Sequence, residues 1–198
     1  MEVINMGRIT GINANTPKHL LLDAGAIIKN YALTSDVVTN MANVIGATEG
    51  GATFAAVPTI HNVALDGAPT HTKGLERIDE WVVTLSATVK EHTVESIKLA
   101  LGAATSESAT NPTGYTKTTG KADIEDADYL DNVAFVSRIS GSGKPVIILL
   151  KNALSLNGFN LSVSDKNEGG VALVITAHYD PADLDDVPFE IYYQVISG

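Results

Sequence analysis

K-P-V-I-I-L-L-K-N-A-L-S-L-N-G-F-N-L-S-V-S-D-K-N-E-G-G-V-A-L-V-I-T-A-H-Y, the run from Lys144 to Tyr179, decides the fold class. From Val171 onward it alternates with a period of two. Val171, Leu173, Ile175, Ala177 and Tyr179 fall on one face, and Ala172, Val174, Thr176 and His178 on the other. That period belongs to a strand and not to a helix. Residues 146–150 form a second β-prone run and residues 159–163 a shorter one. The polar, glycine-closed segment 165–170 between the last two predicts a hairpin. At Asn157-Gly158 the apolar positions change phase, which predicts a bulge or a tight turn. None of these residues is reactive.

Outward from this run the same pattern repeats. Residues 133–139 read as a strand that the turn Ser140-Gly-Ser-Gly143 joins to the run above, and residues 188–195 read as a closing strand with Phe189, Ile191, Tyr193 and Val195 inward. Residues 52–65 and 75–90 read as a hairpin, with Pro58 placed at an edge or bulge. Its second strand, at about 3.3 Å per residue, would extend on the order of 50 Å. Strands rarely run that far inside one domain, so the hairpin is expected to project from its own core. Trp81 falls on the apolar face of that strand, where core packing accounts for it.

Residues 20–31 open the folded part as a first strand. Residues 35–45 carry a helical spacing closed by Gly46. Residues 93–101 predict a helix capped by Thr93 and ended by Gly102, with Val94, Ile97, Ala100 and Leu101 as its buried stripe. Residues 103–121, rich in Thr and Ser, predict a long flexible loop, mobile or ordered by a partner. Residues 1–17 read as an arm, either frayed or ordered against a neighbouring subunit. Residues 18–198 then form one domain.

Composition narrows the function. Aromatic residues make up 6% of the 198 residues and the apolar fraction is 44%, so the core layers are thin and lean on neighbours. A net charge of −10, from 13 basic and 23 acidic residues, argues against wrapping a nucleic-acid backbone. It does not argue against a surface that DNA passes without sticking. Absence of cysteine removes disulfides and thiol chemistry. No apolar run approaches the roughly 20 residues that cross a bilayer, and no signal peptide opens the chain, so a cytoplasmic product is expected.

Reactive constellations are missing. Gly141-Ser-Gly-Lys144 lacks the first glycine and the hydroxyl residue of a phosphate loop and precedes a strand, so it reads as a hairpin turn. His19, His61, His71, His92 and His178 show no metal-ligand spacing. Asp180, Asp183, Asp185 and Asp186 lack the pattern of a helix-loop-helix calcium site and read as a solvated acidic loop. Asp123, Glu125, Asp126, Asp128 and Asp131 form a second acidic patch. The residues predict no catalytic, cofactor-binding or metal site. By themselves they give a soluble β-rich assembly domain, mainly antiparallel, with seven or eight strands and one helix between the third and fourth.

Five stretches carry a more specific likeness: L-L-L-D-A-G-A (20–26), I-G-A-T-E-G-G-A-T-F (45–54), V-K-E-H-T-V-E-S-I-K-L-A-L (89–101), D-Y-L-D-N-V-A-F-V (128–136), and V-A-L-V-I-T-A-H-Y-D (171–180) followed by P-F-E-I (188–191). In this order they resemble the major tail tube protein of long-tailed, siphovirus-type bacteriophages, in particular those of phages infecting Gram-positive bacteria. The resemblance implies a β-sandwich or barrel-like subunit with one flanking helix and long projecting hairpins. Six copies would form a ring, and rings would stack into a tube for DNA ejection, without enzymatic activity or cofactor. Residues 52–65 and 75–90 would form half of the lumen wall, the 133–155 region the other half, and residues 1–17 and 103–121 the contacts between rings. The partners implied are further copies, a tape measure, a tail terminator and a baseplate, with DNA passing unbound through an acidic and small-polar lumen and no membrane. The location implied is the virion, assembled in the host cytoplasm. Two rival readings are another virion part, such as a head-tail joining or capsid-decorating subunit, and a β-sandwich module binding calcium or sugar near residues 180–186.

Overall fold

Apolar alternation builds ten strands and one α-helix among the described residues of the computed structural model, which are 11–21, 23–34 and 40–195. The strands are β1 (Ala26–Lys29), β2 (Thr48–Asn62), β3 (Glu76–Val89), β4 (Ala104–Ser108), β5 (Thr116–Gly120), β6 (Leu130–Ser137), β7 (Val146–Ser155), β8 (Asn160–Ser164), β9 (Asn167–Thr176) and β10 (Phe189–Tyr192). Helix α1 (Val94–Leu101) lies between β3 and β4. These strands pair antiparallel throughout. The fold is mainly β and sandwich-like, with α1 as its helix among the described residues, as the alternation predicts.

One layer runs β1-β6-β7-β10 and the other β2-β3-β9-β8. Strand β7 belongs to both, because Leu154 and Ser155 at its end pair with Thr176 and Ile175 of β9. The corner sits at Asn152, whose φ of +45° only a residue tolerant of the left-handed region adopts readily. His178 fixes it: Asn152 Nδ2 donates to the His178 carbonyl (3.2 Å), and the His178 ring meets the Asn152 carbonyl (3.0 Å).

Between the layers Ile27, Val133, Phe135, Leu150 and Ala153 meet Val83, Leu85, Val89, Val171, Leu173 and Ile175. Complete burial of each such Val, Leu or Ile contributes about 1.5–3 kcal/mol. A smaller cluster, Ile28, Tyr31, Ala134, Val136 and Leu149, lies on the other face of the first layer.

Several segments differ from their sequence reading. Residues 103–121 are no flexible loop but the β4–β5 hairpin, held by its ladder, by Ser106 Oγ and Thr118 Oγ1 (2.9 Å) and by Lys117 and Glu107 (3.3 Å). Its strands bury only Ala104, so no hydrophobic period marks them. The six-residue turn expected at 165–170 is tighter, since Lys166 takes φ +62° and β9 resumes at Asn167. In α1 the inward residues are Ser96 and Ala100, while Val94 is exposed, because Ser96 turns inward to cap Thr93. The closing strand ends at Tyr192. Only Phe189 packs inward, and Ile191, Tyr193 and Val195 are exposed, because β10 pairs with β7 alone at the layer's margin.

The first strand is limited to Ala26–Lys29, preceded by a bridge from Leu21 to Ile139. Of the helix expected over 35–45, residues 35–39 lie outside the described residues, Asn40 is α-helical, Met41–Asn43 form a 3-10 turn, and Val44 bridges Ile28. Residues 1–10 of the arm also lie outside them. Thr16–His19 form a 3-10 turn against the chain's own 139–141 segment, where Gly141 N–H donates to the Lys18 carbonyl (2.8 Å) and Ser140 N–H to that of Leu20 (2.9 Å).

Candidate assembly surface

Two strands long enough to outrun their core create the most distinctive surface. Inside the molecule the β2–β3 register sets Phe54 against Leu85 and Ala56 against Val83, all facing the core. Pro58 faces Trp81, which closes the core edge against Phe189 (ring centroids 5.5 Å apart). At this pair the Trp81 N–H points away from β2 and donates to the Tyr179 hydroxyl (2.8 Å). By the same ladder geometry Pro58 places its missing donor on the open side of β2. Strand β2 is therefore a sheet edge, and Pro58 occupies it as proline must.

Past this pair nothing among the described residues covers the hairpin. Ile60 faces Ile78 on the continuation of the core-facing side, and they are 52% and 55% exposed. On the other side Val57 faces Val82, at 58% and 47%. Val63 and Leu65 extend the same apolar surface into the loop. Four further residues of β2 at about 3.3 Å each carry the ladder roughly 13 Å beyond Pro58.

The opposite edge of the same layer is β8. Leu161 pairs with buried Val171 and so lies on the core-facing side, yet it is 45% exposed; Val163 is 71% exposed, with Leu156 and Phe159 beside it. Among the described residues, one sheet thus ends in two unpaired edges, each with uncovered apolar side chains.

Between these edges the outward face of the layer is small and, in its middle rows, uncharged. The register aligns Thr53, Ser86 and Val174 in one row, Ala55, Thr84 and Thr176 in the next, and Glu49, Thr88, Ala172 and Asn160 in a third, at the base. Charge collects at the ends of the ladder: Glu80 near the tip, Glu49 with Lys90 (2.6 Å) at the base.

The residues weighed for chemistry do not converge. Gly141 to Lys144 form the turn between β6 and β7, with Ser142 Oγ donating to the Lys144 carbonyl (2.6 Å). The five histidines occupy five places: His19 near the Tyr193 hydroxyl (3.3 Å), His61 on Asp79, His71 near Glu76 (3.5 Å), His92 on the Gly169 carbonyl (3.1 Å) and His178 on Asn152. Among the described residues no three His, Asp or Glu side chains are grouped to hold a metal ion. Asp186 leaves the acidic loop to meet Lys151 (2.9 Å), which also binds Glu190 (2.8 Å). Burial opposes the Lys151 charge, but Glu190 and Asp186 outweigh it and raise its pKa; Lys151 in turn lowers that of Glu190. The other acidic patch is also partly structural. Asp128 is held below the ordinary carboxylate range by Lys121 (2.8 Å) and then by the Glu125 N–H (2.9 Å). Asp126 and Asp180 line an open cleft of about 510 Å³ with Tyr129, Asn152 and His178.

Ile60, Ile78, Leu161 and Val163 were not singled out from the sequence. For Ile60 and Ile78 the signal was apolar residues at both parities of one strand, Val57 with Ile60 in β2 and Ile78 with Trp81 in β3, which no one-sided core can absorb. No family model matches the chain, and no curated protein matches it.

Proposed function

We propose that this chain is a structural subunit that associates with further copies of itself, the β2 edge of one against the β8 edge of the next. The observation that carries this reading is a hairpin that outruns its core with Ile60 and Ile78 uncovered, on the same sheet as uncovered Leu161 and Val163. Exposed apolar edges are pairing templates that proteins cover. Two different patches on one subunit give a head-to-tail contact, which closes into a ring when the rotation allows.

The tail tube resemblance supplies the rest of the proposal: six copies per ring, rings stacked into a phage tail tube, tape measure, terminator and baseplate as partners, and DNA passing through the lumen. A ring of six would carry a formal charge of roughly −60. The β2-β3-β9-β8 layer would face the lumen with its hydroxyl and methyl rows, which offer a polyanion no cation to hold it. In this arrangement the charged groups, Glu80 and Arg77 towards the tip and Glu49 with Lys90 at the base, stand at the ends of the wall and not in its middle.

Because the chain has no cysteine, its edges can be labelled singly. Thr53→Cys combined with Ser162→Cys, treated with a flexible thiol-reactive cross-linker, should give a covalent ladder ending at six subunits. A product confined to dimers would indicate a two-fold contact and refute the head-to-tail ring.

A further inference from the structure

Past Pro58 the β2–β3 ladder slips by one residue: Thr59 faces Glu80, but Ile60 faces Ile78, which leaves Asp79 as an extra residue in β3. Such a bulge re-aims every side chain after it. Without it Ile60 would face Asp79, and His61 would face Ile78. The bulge therefore decides whether the tip presents two isoleucines together.

Past the last paired residues one further backbone bond, from the Val63 N–H to the Leu75 carbonyl (2.8 Å), continues this register. Asn62, the last residue of β2, keeps its Oδ1 shielded from solvent with no hydrogen-bond partner, an unfavourable feature of this register. What holds the extra residue is His61, whose Nδ1 meets the Asp79 carboxylate across the strands. Both side chains are about half exposed, so water reaches the pair.

We propose that His61 and Asp79 form a proton-operated latch on the register of the hairpin tip. The imidazolium adds a full charge to the contact with Asp79 and holds the bulge closed, with Ile60 against Ile78. The neutral ring keeps only a hydrogen bond, and the ladder is free to slip. Charged neighbours on the hairpin act in both directions. Arg77, directly opposite His61, opposes its protonation, but its guanidinium is turned onto the Gly74 and Glu76 carbonyls (3.0 and 2.9 Å). Glu76, near His71 (3.5 Å), and Glu80, beside Asp79, favour it, while Asp66 and Lys73 lie in the loop. Among the described residues no side chain of another element makes an ion pair or hydrogen bond with His61 or Asp79. Imidazole is the side chain whose ordinary change of charge falls between about pH 5 and 8, and that interval sets the range of the test. It governs the apolar face that the assembly proposal covers, but it acts within one chain.

Amide hydrogen exchange of Val63 and Arg77, whose N–H groups lie past the bulge and point across the ladder, Val63 onto the Leu75 carbonyl (2.8 Å), tests this on the full chain at about pH 5.5 and 7.5, at a concentration where it is monomeric and corrected for intrinsic rates. Protection should be about two- to fivefold greater at the lower pH, the scale of an exposed charge pair. In His61→Gln, which keeps a polar group without the charge, and in Asp79→Asn, the difference should vanish. Equal protection of the unmodified chain at both pH values overturns the latch, and so does a pH dependence that survives both substitutions. A failed cross-linking ladder leaves this outcome untouched.

Discussion

Gly102 ends α1 with φ +74°, and a Cβ there would lie 2.3 Å from the Ser155 carbonyl oxygen. Gly102→Ala should therefore cost more than about 1–3 kcal/mol, because backbone strain and a backbone clash coincide. Urea unfolding monitored by circular dichroism checks it. A second prediction concerns Asp128. Its folded pKa is lowered, so its contribution is present above the unfolded value of about 3.9 and is lost as pH falls through the folded value. Asp128→Asn should lower Tm by a few degrees at neutral pH. The gap between variant and parent should narrow below about pH 4 in a calorimetric pH series. At this scale the sequence is legible where one residue has one local job. Thr93 and Gly102 announce the helix ends. The reversal of Ser96 and Val94 does not show, because Ser96 is drawn inward by its bonds to Thr93 and the Glu91 carbonyl (2.9 Å).

At the scale of elements, period and length were the readable signals. Strand β9 alternates so cleanly that Val171, Leu173, Ile175 and Ala177 all lie buried as read. The β2–β3 hairpin follows from its length and from Pro58. Hairpin β4–β5 escaped because both its faces are polar. Strand β10 misled because its alternation is real but finds little to pack against. The candidate surface was half legible: the projecting hairpin was expected, but cover is a property of the whole fold, and nothing local says that Ile60 lacks what Ala56 has. From this difference a prediction follows. Ile60→Glu with Ile78→Lys should change stability by no more than about 0.5 kcal/mol, as exposed substitutions do. Self-association measured by light scattering should nevertheless be abolished. Leu85→Ala, by contrast, should cost about 2–5 kcal/mol.

For the whole molecule, thin layers and a net charge of −10 pull in opposite directions. The charge keeps single copies apart, while the apolar edges of the β2-β3-β9-β8 layer gain only when covered. Association of copies resolves this if acidic groups stay at the ends of the ladder, where Glu80 and Glu49 stand, and off the contact between edges. The sequence carried the sum of the charge but not its placement, because Asp186, Glu190 and Asp128 are taken up by Lys151 and Lys121 within the fold. The most direct measurement is negative-stain microscopy with light-scattering mass, on the full chain across concentration and on the Ile60→Glu, Ile78→Lys variant alongside. Six-fold rings or hollow tubes from the parent and single copies from the variant are the predicted result. A parent that stays monomeric at every concentration, or assemblies that the variant forms equally well, would contradict the account.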